Sequence, residues 1–119
     1  MIAVLDWELS TLGHPLADFA YQLMMYRAKP GGIAGLSGAD LGVLNIPAEQ
    51  EHLAMYCNAA QRDSIPERNF YLDFHLFRFA AILHGIKGRA LRGNAASDNS
   101  KLLVAQLPFF AAAAWSLTE

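Results

Sequence analysis

Apolar residues fall along this chain in one short unbroken run followed by four stretches of helical spacing. The run comes first, as Ile2-Ala3-Val4-Leu5 leading into Asp6-Trp7-Glu8. It is too short and too apolar for a free helix, so a strand is expected from about Ile2 to Trp7. Helical spacing begins near Pro15 and continues through Asp18-Phe19-Ala20-Tyr21-Gln22-Leu23-Met24-Met25-Tyr26. The next segment, KPGGIAGLSGADLG, carries Gly31, Gly32, Gly35, Gly38 and Gly42, five of the nine glycines, and reads as a long loop. Pro47-Ala48-Glu49-Gln50-Glu51 places proline and carboxylates where a helix start favours them, and that helix should reach about Arg62.

The longest helix is expected from near Pro66 to Leu91. Asp63 or Ser64 would cap it, Glu67 falls in its first turn, and Gly93-Asn94 supplies the stop. Two apolar stripes run along it: Phe70, Phe74 and Phe77, and Leu72, Leu76, Phe79, Leu83 and Ile86. Two stripes imply neighbours on two sides. Arg78, Lys87, Arg89 and Arg92 gather toward the C-terminal half, where positive charge suits the helix dipole. Ser97-Asp98-Asn99 should cap a last helix. Residues 102–117, LLVAQLPFFAAAAWSL, are apolar apart from Gln106, Pro108 and Ser116. They fall short of the roughly 20 residues a bilayer requires, and Pro108 interrupts them, so a helix buried on most sides or pressed against a second subunit is expected. The predicted fold is mainly α, a single domain over residues 1–119 built as a helical bundle with a short N-terminal β-strand.

Composition sharpens this picture. Apolar residues make up 54% of the chain and charged residues 17%, against about a quarter charged in ordinary soluble domains. A monomer of this size hides that much apolar surface with difficulty. A homo-oligomer, joined through the N-terminal strand edge or exposed apolar helix faces, is therefore expected, unless a further part of the same polypeptide covers them. The net charge of −2 gives no general attraction to nucleic acid or to an anionic membrane. Cys57 stands alone and cannot close an internal disulfide, and no basic-then-apolar leader opens the chain; both point to the reducing cytoplasm.

Candidate chemistry is concentrated at the start. A carboxylate at the end of a hydrophobic strand suits Mg²⁺, a small hard cation held by one or two carboxylates together with nucleotide phosphates. Asp6 and Glu8 fit that description, and by position alone they equally fit a solvated strand end. His14, His52, His75 and His84 show no ligand spacing of the His-Glu-x-x-His kind. His75 and His84 lie among Phe and Leu and read as core or helix-face residues. Cys57 reads as a small buried apolar side chain, and Asp63-Ser64 as a cap rather than a nucleophile. The glycine-rich segment lacks Gly-x-Gly-x-x-Gly spacing and any Gly-Lys-Ser/Thr, so it reads as an ordinary loop.

The order VLDWELSTLGHPLADFAY adds a specific likeness. Val4-Leu5-Asp6-Trp7-Glu8, Gly13-His14-Pro15 and Asp18-Phe19-Ala20 together resemble the C-terminal metal-binding motif of the aminoglycoside phosphotransferase family, kinase-like enzymes that phosphorylate small hydroxyl compounds. Phe19 stands where leucine is common, and His14 where an acid or asparagine is often found. NFYLDFHLFRFAAILHGIKGRALRGNAAS is similar to a helix of the family branch that accompanies acyl-CoA dehydrogenases. The resemblance implies the helical part of a protein-kinase-like C-terminal lobe. It implies phosphoryl transfer from ATP or GTP to a small-molecule hydroxyl, with Mg²⁺ held by Asp6 and with Glu8 near a second metal or supporting the loop. It also implies that Asp18 braces the catalytic loop, that His75, Arg78 and His84 face the acceptor, and that the acceptor is a hydroxylated acyl thioester.

The family's His-Gly-Asp-x-x-x-x-Asn loop and its phosphate-covering lobe are not among these 119 residues. Transfer chemistry needs several parts positioned at once. The chain by itself is therefore expected to be inactive and to bind neither Mg²⁺ nor nucleotide tightly. The competing expectation is a non-catalytic, helical, dimeric remnant or interaction module.

Overall fold

A computed structural model describes residue 3 and residues 12–31, 33–94 and 99–117. The strand expected over residues 2–7 falls, Ala3 apart, outside the described residues, as do Asp6 and Glu8. The chain is mainly helical: α1 (Pro15–Leu23), a 3₁₀ turn (Met24–Tyr26), α2 (Glu49–Ala59), α3 (Arg68–Leu91), α4 (Ser100–Ala105) and α5 (Leu107–Trp115).

Local chemistry explains each boundary. α1 starts where Pro15 occupies the first helical position and the His14 imidazole Nδ1 accepts the Leu16 N–H at 3.3 Å. α2 starts where the Glu51 carboxylate reaches back to the Ala48 N–H at 2.8 Å, the acidic half of a capping box. It stops at Ala59, short of Arg62, in a Schellman turn: Gln61 takes φ 52°, and the Arg62 N–H donates to the Cys57 carbonyl at 2.9 Å. α3 ends the same way with the expected glycine, Gly93 at φ 73° and the Asn94 N–H on the Arg89 carbonyl. Its start differs from expectation. Pro66 and Glu67 form a turn, Glu67 is the N-cap, and Asp63 and Ser64 lie too far upstream to cap Arg68.

α3 is the axis of the fold. It packs against α1 on one side and against α5 and α4 on another. Leu72, Leu76, Ala80 and Leu83 form its buried stripe, meeting Phe19, Leu23 and Met24 from the α1 side and Phe110 and Ala114 from α5. The Phe79 and Phe110 rings meet edge-on, 4.7 Å between centroids. The phenylalanine stripe does not find the neighbour expected for it: Phe70, Phe74 and Phe77 are 69%, 48% and 68% exposed. Among the described residues, α1 covers one side of α3 and α5 with α4 another, and none of them covers the phenylalanine face.

The C-terminal apolar segment is also less buried than expected. It is two helices, because a proline within a continuous helix would lose its hydrogen bond and clash with the preceding turn. The chain turns at Gln106 and restarts with Pro108 in the first turn of α5. Only Phe110 and Ala114 of α5 are fully buried, while Trp115 is 71% exposed. No described helix is long and apolar enough to cross a membrane.

The glycine-rich loop contains a small hairpin, β1 (Pro30–Gly31) against β2 (Ile33–Ala34), antiparallel with Pro30 opposite Ala34. Gly35 permits the turn back, since a Cβ there would collide with the carbonyls of Ala28 and Lys29. The Leu36 and Ser37 N–H groups then donate to the Met25 and Ala28 carbonyls, both at 2.9 Å. Further along, the Tyr26 hydroxyl donates to the Pro47 carbonyl at 2.8 Å, and Arg27 forms a two-pronged ion pair with Glu49, 2.8 Å on each prong. A half-exposed pair of this kind contributes under about 1 kcal/mol, so it fixes where α2 begins more than it stabilises the fold.

Two substitutions should move stability in opposite directions. Gln61→Gly relieves a left-handed backbone and should raise the unfolding free energy by about 0.5–1 kcal/mol. Gly35→Ala should lower it by about 1–3 kcal/mol through overpacking against two carbonyls. Urea unfolding followed by circular dichroism measures both.

Candidate functional site

α1 and α3 enclose a cleft of about 410 Å³ lined by Asp18, Tyr21, Gln22, His75, Arg78 and Ile82. Its polar groups come from helix spacing. Asp18, Tyr21 and Gln22 share one side of α1 at offsets of three and four residues, and His75 and Arg78 share one side of α3. The neighbouring positions on each helix, Leu16, Phe19 and Leu23 on α1 and Leu72 and Leu76 on α3, are locked in the core. That packing turns the polar residues outward, Tyr21, His75 and Arg78 toward this cleft and Asp18 and Gln22 onto the rim it shares with another concavity beside α2.

His75 forms the floor. It is 3% exposed, with the Tyr21 ring edge-on at 5.5 Å and the Phe74 ring edge-on at 5.2 Å. Neither ring nitrogen makes a hydrogen bond within the described structure. Leaving a buried polar group unpaired typically costs about 1–3 kcal/mol. Burial lowers the His75 pKa from its ordinary value. The Ala17 carbonyl opposes that shift without reaching hydrogen-bond geometry, the Arg78 charge adds to it, and the Asp18 carboxylate opposes it. At neutral pH the ring is therefore uncharged, with one N–H to donate and one lone pair to accept.

Of the residues singled out by sequence, the fold brings Asp18, His75 and Arg78 together. His84 is exposed and lies outside the cleft, because nine residues at 100° each carry it half a turn round α3 from His75. Among the described residues no group of three or more His, Cys, Asp or Glu side chains could hold a metal ion. Asp6 and Glu8 lie outside the described residues.

Sequence reasoning passes over several participants. Tyr21 and Gln22 read only as parts of an apolar helix, and no pattern within α1 says what α3 places opposite them. His14 reads as a departure from a motif, yet it supplies the cap of α1 and stacks on Tyr71 with 5.2 Å between ring centroids. Tyr26, 3.3 Å from the His52 Nδ1, ties the loop to α2. Burial, then the Glu49 and Glu51 carboxylates, raise its phenol pKa above the ordinary value and keep it a donor.

A second concavity, about 400 Å³, runs along the α3–α5 seam between Phe70, Phe74, Phe77 and Trp115, with Ala111 and Ala114 at its base and Asp73 as its one charged residue.

The solved structure of a protein from Ralstonia eutropha JMP134, assigned as an aminoglycoside phosphotransferase, superposes on 97% of this chain with a TM-score of 0.83 and 40% sequence identity. The chain resembles that phosphotransferase over almost its whole length. It covers 35% of that neighbour, so it corresponds to about a third of a solved relative. Curated relatives carry a different name. Acyl-CoA dehydrogenase family member 10 of Mus musculus is 42% identical over 103 residues, 85% of this chain and 10% of its own length. Acyl-CoA dehydrogenase family member 11 of Homo sapiens is 41% identical over 106 residues, 86% of this chain and 13% of its own length. The chain thus spans only about a tenth of the curated relatives it matches. No protein-family model matches the sequence. The likeness to the helical part of a kinase-like lobe, and to the branch that accompanies acyl-CoA dehydrogenases, therefore holds for this chain.

Because the folded state resists charging His75, the unfolded chain takes up that proton first as pH falls. Stability should therefore decline as pH drops through about 6.5 toward the lower folded value. His75→Leu should flatten this decline. Urea midpoints measured between pH 7.5 and pH 5 test it.

Proposed function

We propose that this chain is the magnesium-bearing helical part of a kinase-like phosphotransferase that moves a phosphoryl group from ATP or GTP to the hydroxyl of a small molecule. The observation that supports it most is the Asp6-Trp7-Glu8 … Gly13-His14-Pro15 … Asp18 order within a chain that superposes on a phosphotransferase at 40% identity. The Asp6 and Glu8 carboxylates are hard oxygen donors, and that donor set fits Mg²⁺. Asp6 would hold the ion, with Glu8 beside it or supporting the loop. When bound, Mg²⁺ neutralises charge on the nucleotide phosphates.

The chain's own residues supply the remainder. Asp18 braces the catalytic loop from the first turn of α1. His75 and Arg78 orient the acceptor from α3, whereas His84, on the opposite side of that helix, lies outside the cleft. The relatives' acyl-CoA dehydrogenase names favour a hydroxylated acyl thioester as acceptor. The lone Cys57 favours a reducing, cytoplasmic setting. Alone, the 119 residues lack a His-Gly-Asp-x-x-x-x-Asn loop and are inactive, binding Mg²⁺ and nucleotide weakly.

Turnover assays test this reading. The 119-residue chain, given Mg²⁺, ATP or GTP and a panel of hydroxyl acceptors, should show none. A longer polypeptide that carries these residues together with the His-Gly-Asp-x-x-x-x-Asn loop should turn over, and Asp6→Ala should reduce its rate at least about 100-fold. Turnover by the short chain, or indifference of the longer one to Asp6→Ala, would overturn the proposal.

A second reading, a non-catalytic module that pairs with a second copy of itself, is favoured by the open aromatic face. Phe70, Phe74, Phe77 and Trp115 are half to seven-tenths exposed and offer roughly 500 Å² of aromatic surface, over half of the about 800 Å² per partner in a stable interface. Sedimentation analysis should then show a dimer that Phe77→Asp converts to monomer; a monomer at all concentrations counts against it.

A further inference from the structure

We infer that the aromatic seam between α3 and α5 seats one amphipathic helix, contributed by a part of a longer polypeptide that these 119 residues do not include, with a lysine or arginine of that helix opposite Asp73. This deepens the phosphotransferase reading above and rests on it for the source of the helix. The seating itself is measured without nucleotide or turnover.

The spacing on α3 says what shape of body fits. Phe70, Phe74, Phe77, Ala81 and His84 follow one another at intervals of four, three, four and three residues, and all five are exposed. That alternation is the seam along which one helix lies lengthwise against another. It runs about 21 Å along α3, on the side opposite the buried Leu72, Leu76 and Leu83. α5 supplies the second wall. Trp115 stands 71% exposed there, and Ala111 and Ala114 leave a low floor between it and the phenylalanines. Small residues at the base of a groove let a helix axis approach closely.

Asp73 sets the polarity of the occupant. It flanks the seam at the kind of position that forms ion pairs across packed helices. It is partly buried and forms no ion pair with any described residue. An apolar small molecule would cover the rings and leave that carboxylate unanswered. A second copy of the chain would close a two-fold pair. Centred on Phe74, such a pair brings two Asp73 carboxylates together, and like charges oppose it. A helix carrying a cation satisfies both the rings and the carboxylate.

Length and area favour a helix from the same polypeptide. The chain covers 35% of its solved phosphotransferase neighbour, so most of such a molecule lies outside these residues and can supply the helix. The open aromatic surface falls short of the about 800 Å² per partner found between separate molecules. A tethered helix needs less, because linkage raises its effective concentration at the seam.

Fluorescence tests this directly. In a Trp7→Phe chain, Trp115 is the sole tryptophan. Overlapping peptides of about 25 residues, roughly seven helical turns each, are tiled across the part of the Ralstonia eutropha neighbour that this chain does not match, and each is titrated separately. At least one, with apolar residues at three- and four-residue spacing and a flanking lysine or arginine, should shift Trp115 emission to the blue saturably. Phe77→Ser, a change at an exposed position, should weaken that peptide at least about tenfold and leave the circular dichroism spectrum unchanged. Asp73→Lys should weaken it about threefold or more, and replacing the peptide's cation by glutamate should recover the loss. Peptides that all leave Trp115 unshifted, or binding that ignores Phe77→Ser or Asp73→Lys, would overturn the inference. So would a chain that dimerises with Trp115 shielded as its concentration rises, which assigns the seam to a second copy. Asp6→Ala should leave peptide binding unchanged, so a failed transfer reaction and a failed helix seat are told apart.

Discussion

The packing of α1 and α5 onto the single leucine stripe of α3 governs the rest of the structure. Leu72, Leu76 and Leu83 are wholly enclosed, and each helix that meets them orients its own apolar residues inward. Burial of apolar surface is the dominant favourable term in folding, and here it is concentrated on one helix. Because α1 is held by Leu16, Phe19 and Leu23, its Tyr21 and Asp18 are turned outward to the rim of the cleft. Because α3 is held on the same side, His75 and Arg78 meet them there. The polar cleft is thus a by-product of hydrophobic registration, set without any polar contact between its walls strong enough to build it.

The same economy explains the order along the chain. A helix start at Pro15 and another at Glu49 are each fixed by a local device, an imidazole acceptor at His14 and a carboxylate at Glu51. Between them the loop is held by Tyr26 on the Pro47 carbonyl and by the Arg27–Glu49 pair. Such contacts add little to stability individually. Their effect is to choose one path for a glycine-rich segment that would otherwise have many.

Local signals carry much of this fold in the sequence itself. The helix periods of α1 and α3, the glycine stop at Gly93 and the proline-and-acid start of α2 depend on neighbours within a turn or two, and such signals survive folding. The likeness of the Asp6–Asp18 segment to a phosphotransferase motif agrees with a superposable relative. Less is legible where distant parts decide. Nothing along residues 66–91 tells which of two apolar stripes will be covered; that depends on how many helices are available to cover it. Pro108 announces the break at Gln106, but not the exposure of Trp115. Asp18 and His75 stand 57 positions apart, and only the tertiary crossing of α1 and α3 brings them to one cleft. The unused nitrogens of His75 are invisible in sequence, where a histidine among leucines reads as an ordinary core residue.

Phe74 belongs to the open aromatic face, and its ring also lies edge-on against His75. One phenyl group is therefore shared between the outer seam and the polar cleft. Whatever body presses on the seam would restrict that ring, and with it the rotation of the imidazole behind it. Through that ring the outer seam and the buried histidine share one packed contact.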